Sequence, residues 1–104
     1  VDVRGQGRGG RNQELALAAL APLADAAPAA LASFGTDGVD GPTDAAGAFV
    51  DSDTFATLGP DGAGIVQRAL DDNDAYPLLD RLGVLIRRGP TGTNVGDLQV
   101  LLLV

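Results

Sequence analysis

The stretch ALASFGTDGVDGPTDAAG, residues 30–47, runs from a short apolar segment straight into a loop with four glycines, three aspartates, two threonines and a proline. Nothing continues ALASF beyond five residues, which predicts a buried central strand rather than a helix. The acidic loop then sits at that strand's C-terminal end. Upstream, VDV reads as the tail of a strand and GQGRGG as a glycine loop. RNQELALAALAPLA reads as a helix that Pro22 must kink or end, because its ring lacks the N–H donor and clashes with the preceding turn. Downstream, AFV predicts an extended piece, DSDTFATLG a short helix and IVQRAL a helix. DNDAYPLLDRLG predicts a further helix, capped by Asn73 or Asp74, with Pro77 in its first turn and Gly83 at its end. VLI and LQVLLLV predict strands, the last apolar enough to be covered on both faces. Alternating strands and helices define an α/β class, expected here as a layered αβα sandwich around a small, mainly parallel or mixed sheet, with ligands at the strands' carboxyl ends.

The chain's 104 residues make a single domain, and because they begin inside an apparent strand they read as a fragment of a longer protein. The chain has no Cys, His, Lys, Met or Trp, which removes thiol, Ser-His and Schiff-base chemistry and the usual zinc ligands. Proton transfer within these residues falls to Asp or to Glu14, with Arg, backbone N–H groups or a metal ion as the electrophilic partner. A net charge of -7 argues against nucleic acid as a partner. No apolar run reaches membrane-spanning length and no targeting segment opens the chain, so the expectation is a cytoplasmic protein without a membrane partner.

Three glycine-rich loops stand out: GQGRGGRN (5–12), GTDGVDGPTD (35–44) and RRGPTGTN (87–94). Arg4, Arg8, Arg11, Arg87 and Arg88 gather in or beside the first and third, five of seven arginines in an acidic chain. That segregation points to anion binding. Gly5, Gly7 and Gly10 match GxGxxG ahead of a helix whose N-terminal N–H groups suit a phosphate or carboxylate. A tight turn with solvent-facing arginines satisfies the same spacing. In the second loop the glycines and proline can aim Asp37, Asp40 and Asp44 toward a magnesium ion or a reacting hydroxyl, while helix capping by Thr43 or Asp44 is the plainer alternative. The third loop lacks the GK[ST] ending of a P-loop. Its Thr91, Thr93 and Asn94 still offer hydroxyl and amide groups to a polyoxygen ligand.

Taken in order, GRGGRNQELAL, GTDGVDGPTDAAGAFVD, DNDAYPLL and GPTGTNVGDLQVLLLV resemble the MOFRL domain, the C-terminal half of class II glycerate 2-kinases. The similarity spans nearly the whole chain; Gly96 and Pro77 are minor departures. The resemblance implies transfer of the ATP γ-phosphate to D-glycerate with Mg2+, in a cleft shared with a larger Rossmann-like N-terminal domain of the same chain. It also implies that the isolated domain lacks turnover, because the reaction needs two walls. Members have been labelled hydroxypyruvate reductases as well, which keeps an NAD(P)-dependent reductase open beside a non-catalytic structural role. On this reading Asp37 and Arg11 are the catalytic candidates, with Asp37 also the metal contact. Gly7, Arg8, Gly9, Gly10, Asn12, Asp40, Thr43, Asp44, Thr91, Gly92, Thr93 and Asn94 are substrate- or phosphate-binding candidates. Glu14 is expected to stabilise the first helical turn.

Overall fold

The computed structural model describes residues 7–26, 28–87, 89, 91–92 and 96–103. The expected VDV strand, and the candidates Arg4, Gly5, Arg88, Thr93 and Asn94, lie outside the described residues. In chain order the elements are α1 (Arg11–Ala18), α2 (Leu20–Asp25), β1 (Ala29–Gly35), β2 (Gly47–Asp51), a 3-10 turn (Phe55–Leu58), α3 (Gly62–Asp71), α4 (Ala75–Leu82), β3 (Leu85–Ile86) and β4 (Asp97–Leu103).

The helix boundaries follow local chemistry. The long helix expected from residue 11 breaks at Ala19, whose N–H turns back to both Leu15 and Ala16 carbonyls. Pro22 then falls in the first turn of α2, where an N–H is not needed. Pro77 sits likewise in the first turn of α4, and Gly83, at φ +74°, ends that helix in the left-handed conformation.

The α/β class is as the sequence indicates. The sheet, ordered β3-β2-β1-β4, is antiparallel at every pairing, rather than mainly parallel or mixed. The reason lies in the connections: β1 returns as β2 through the acidic loop alone, with no crossover helix to carry the chain back to its starting edge. α1 and α2 cover one face of β1 and β2, with α3 and α4 stacked on α1. Leu17, Leu20, Leu23, Val50, Leu78 and Leu79 fill the space between. β4 also departs from expectation: among the described residues it is the sheet's edge, and all seven of its residues are exposed. Among the described residues, no helix is long and apolar enough to cross a membrane.

Candidate functional site

The three glycine loops meet at the end of β1. α1 begins there, and its N-terminal donors are already occupied. Asp40, buried at 3% exposure, accepts the Asn12 N–H (3.1 Å) and the Asn12 side-chain amide (3.2 Å) on Oδ1, and the Gln13 N–H (2.9 Å) on Oδ2. A carboxylate from the second loop thus occupies the anion position that the sequence reserved for a ligand, complementing the helix dipole from within the chain. The glycines serve this loop-to-loop contact. A Cβ on Gly10 would lie 2.6 Å from the Asp40 carbonyl carbon, and one on Gly41, at φ +63°, would run into the Gly9 carbonyl oxygen.

Asn12 is the hub of a buried polar network. Its amide donates to Asp97 (3.0 Å) as well as to Asp40, and its Oδ1 accepts from Ser33 (2.8 Å) and Gln99 (3.3 Å). One side chain therefore ties α1 to β1, β4 and the acidic loop. Thr43 is similarly committed, donating to the Asp40 carbonyl (2.8 Å) and accepting from the Gln13 amide (3.0 Å). The third loop is stitched to the second: Thr91 donates its N–H to the Asp37 carbonyl (3.0 Å) and its hydroxyl to the Thr36 carbonyl (2.7 Å). Gly92 is an exposed turn residue at φ +76°.

Beside this joint opens a cleft of about 540 Å³. Gly7, Gly9, Gly10, Arg11, Asp37 and Asp40 line it, together with residues that include Glu14, Asn73, Gly96 and Asp97. Arg11 is the first residue of α1, its side chain largely exposed, and its Nε pairs with the Asp97 carboxylate. That hydrogen bond and the attached charge raise the Arg11 pKa, keeping the guanidinium charged. Reciprocally, the hydrogen bond from Arg11, and after it that from Asn12, hold the Asp97 carboxyl below the usual range. The pairing uses Nε, and among the described residues no other protein group takes the two terminal nitrogens of Arg11. Asp37 is half-buried; its Oδ1 accepts the Val39 N–H (3.0 Å) in a local turn that fixes the side chain at the cleft wall.

Two expected members stand apart. The Arg8 guanidinium lies over the Tyr76 ring, 4.8 Å from its centre. Asp44 accepts from the Tyr76 hydroxyl (2.6 Å) and from Arg87 (3.2 Å), which also reaches Asp80 (2.9 Å). The Tyr76 hydrogen bond, ahead of that from Arg87, lowers the Asp44 pKa. Neither Arg8 nor Asp44 is part of the cleft lining. Conversely, sequence reasoning missed Asp97, Asn73 and the cleft position of Glu14. Glu14 is buried and accepts from the Asn73 amide (2.6 Å), while Asn73 holds a left-handed φ of +53°. Asp97 had one signal, a lone carboxylate between Gly96 and an apolar strand.

Fold and cleft together define a small α/β domain that presents an arginine and several carboxylates on one open wall. The sequence pattern of the MOFRL family matches residues 1–97, and the chain belongs to that family. It is 52% identical over 104 residues to a D-glycerate 2-kinase of Thermotoga maritima, covering 100% of this chain and 25% of that protein. A glycerate 2-kinase of Pyrococcus horikoshii is 41% identical over 101 residues, covering 96% and 22%. The crystal structure of a Thermotoga maritima glycerate kinase superposes with a TM-score of 0.89 at 48% identity, over 100% of this chain and 25% of that one. The chain thus spans about a quarter of the length of these relatives.

Proposed function

We propose that this chain is the C-terminal domain of a two-domain glycerate 2-kinase, forming one wall of a cleft in which the γ-phosphoryl group of ATP passes to D-glycerate, giving 2-phosphoglycerate and ADP. The carrying observation is that Arg11 and Asp37 line the same cleft in a chain 52% identical to a D-glycerate 2-kinase. Phosphoryl transfer is catalysed by positioning and charge stabilisation more than by covalent chemistry. The terminal nitrogens of Arg11 form a fork suited to a carboxylate or phosphate, and Asp97 holds that fork from behind. Asp37 accepts the proton of the attacking hydroxyl or contacts the metal. A second, Rossmann-like domain of the same chain supplies the opposite wall, and a cytoplasmic location goes with ATP and a soluble acid as substrates.

Magnesium neutralises phosphate charge in such transfers. Among the described residues, no three His, Cys, Asp or Glu side chains are grouped to hold a metal ion. Asp37 fits as one carboxylate ligand of an ion held otherwise by phosphate oxygens and water, the usual manner for Mg2+.

The test is ADP release by the full-length protein with D-glycerate and Mg-ATP. Turnover that falls in Arg11→Ala and Asp37→Ala supports the proposal. Absence of turnover in the unmodified protein sinks it, and oxidation of NADH or NADPH with hydroxypyruvate would put a reductase in its place. Full activity in both variants, with only stability altered, would make the domain a structural partner.

A further inference from the structure

Apart from Asp97 and Gln99, which reach Arg11, Asn12 and Ser33, β4 carries apolar side chains on both faces, and among the described residues none of them is buried. In the antiparallel register, Leu101 faces Leu31 and Leu103 faces Ala29, on the helix-bearing side of the sheet, yet they are 56% and 69% exposed. Leu98, Val100 and Leu102 point to the opposite side with Phe49, which pairs with Ala32 on β1, and all four are more than 40% exposed. Among the described residues, no strand pairs with the outer edge of β4. A contiguous apolar patch around a free sheet edge marks an interaction surface.

The geometry selects the occupant. A second copy paired edge to edge through β4 would extend the sheet but leave both apolar faces in water. Burying Leu101 and Leu103 on one side and Leu98, Val100 and Leu102 on the other takes a body that wraps the strand. β4 also starts at the cleft, since Gly96 and Asp97 line it. A body seated on β4 therefore stands beside the cleft mouth, where a second wall is required. The relatives carry about three times as much polypeptide again as this chain matches, enough for that body. We propose that β4 and the sheet face behind it are the seat of the remaining polypeptide of the same chain, which covers both sides of the strand with an apolar layer. This rests on the reading of the chain as part of a longer kinase.

The experiment uses the full-length protein. Cysteines introduced by Val100→Cys and Leu102→Cys are labelled with a maleimide, located by peptide mapping, and compared with Ala63→Cys on the exposed face of α3. Labelling at 100 and 102 is expected to be slower by about 100-fold or more, independently of protein concentration. Rates equal to that at position 63 would overturn the proposal. So would protection that disappears on dilution, which assigns the face to a second copy. Hydrogen exchange of the peptide 97–103 in the unmodified protein gives the same reading without substitutions; exchange as fast as in an exposed strand overturns the proposal. Neither measurement involves turnover. A full-length protein that protects β4 but does not phosphorylate glycerate would refute the kinase reading and leave this one standing.

Discussion

Replacing Asp40 by alanine tests the central claim about this fold, that the carboxylate on α1 belongs to the chain and not to a ligand. Three hydrogen bonds disappear: those from the Asn12 and Gln13 N–H groups and from the Asn12 amide. Loss of a side-chain cap costs about 0.5–2 kcal/mol. Leaving a buried donor unsatisfied costs about 1–3 kcal/mol. Two considerations moderate the sum. The Asn12 amide keeps Asp97 as an acceptor, and Asp40 borders the cleft, so water can reach the freed N–H groups. We therefore expect Asp40→Ala to destabilise the domain by about 2–3 kcal/mol.

Urea unfolding of the 104-residue chain measures this directly, because Tyr76 is its single tyrosine and there is no tryptophan to compete in fluorescence. At an m-value of about 1–1.5 kcal/mol/M, the midpoint should fall by roughly 2 M with m unchanged. Asp37→Ala is the control. It removes one local hydrogen bond, to Val39, at a half-buried position, and should cost less than about 1 kcal/mol. Asp40→Asn, which keeps one acceptor oxygen but sets an NH2 group against a helix donor, should fall between the two. Equal midpoints for Asp40→Ala and Asp37→Ala would refute the reasoning and return the α1 N-terminus to the list of ligand sites.

Gly10→Ala drives a methyl group into Asp40 and should destabilise by about 1–3 kcal/mol in the same assay, whereas Gly59→Ala, with open space around it, carries only the cost of its positive φ. Leu17→Ala empties part of a fully buried site and should cost about 2–5 kcal/mol. Asp97 has a folded pKa below its unfolded value, so its pairing stabilises above the unfolded pKa of about 4 and is lost as pH falls through the lower folded value. Asp97→Asn should therefore destabilise at neutral pH, and the difference from the parent should shrink on acidification below about pH 4, as read from urea midpoints across pH. In the full-length protein, Arg11→Ala should lower kcat/KM for D-glycerate about 10–100-fold, the worth of one charged hydrogen bond, with Arg11→Lys recovering part of it.

The parts of this fold legible in the sequence are those governed by neighbours in the chain. Pro22 and Pro77 sit in first helical turns and Gly83 stops α4 for reasons contained within a few residues. Strand direction is different, because an apolar run looks the same in either orientation and only the connection decides. β4 misleads for a related reason: apolar residues on both faces read as an interior strand, and within these residues it is an edge. The site divides in the same way. Arg11 and Asp37, which line the cleft, stand out in the sequence because a charged residue in a glycine loop is locally conspicuous. The roles of Asp40 and Asp97 were not legible, because their partners on α1 lie 27 or 28 and 85 residues away in sequence.

These long-range contacts make the cleft one joint rather than a set of separate loops. Arg11 opens α1, and the position of that first turn is set by Asp40, three residues beyond Asp37 on the same loop. Asn12, the next residue along the helix, is bonded to both Asp40 and Asp97, and Asp97 in turn holds Arg11. The loop that presents the carboxylate thus also positions the guanidinium, and the first residue of β4 steadies it from the other side. If Arg11 binds an anion as proposed, its backbone and Nε are already fixed, so less ordering remains to be done on binding. The same wiring means that any body seated on β4 touches the element that orients Arg11. A body seated there, as proposed, bears on the strand whose first residue, Asp97, pairs with Arg11.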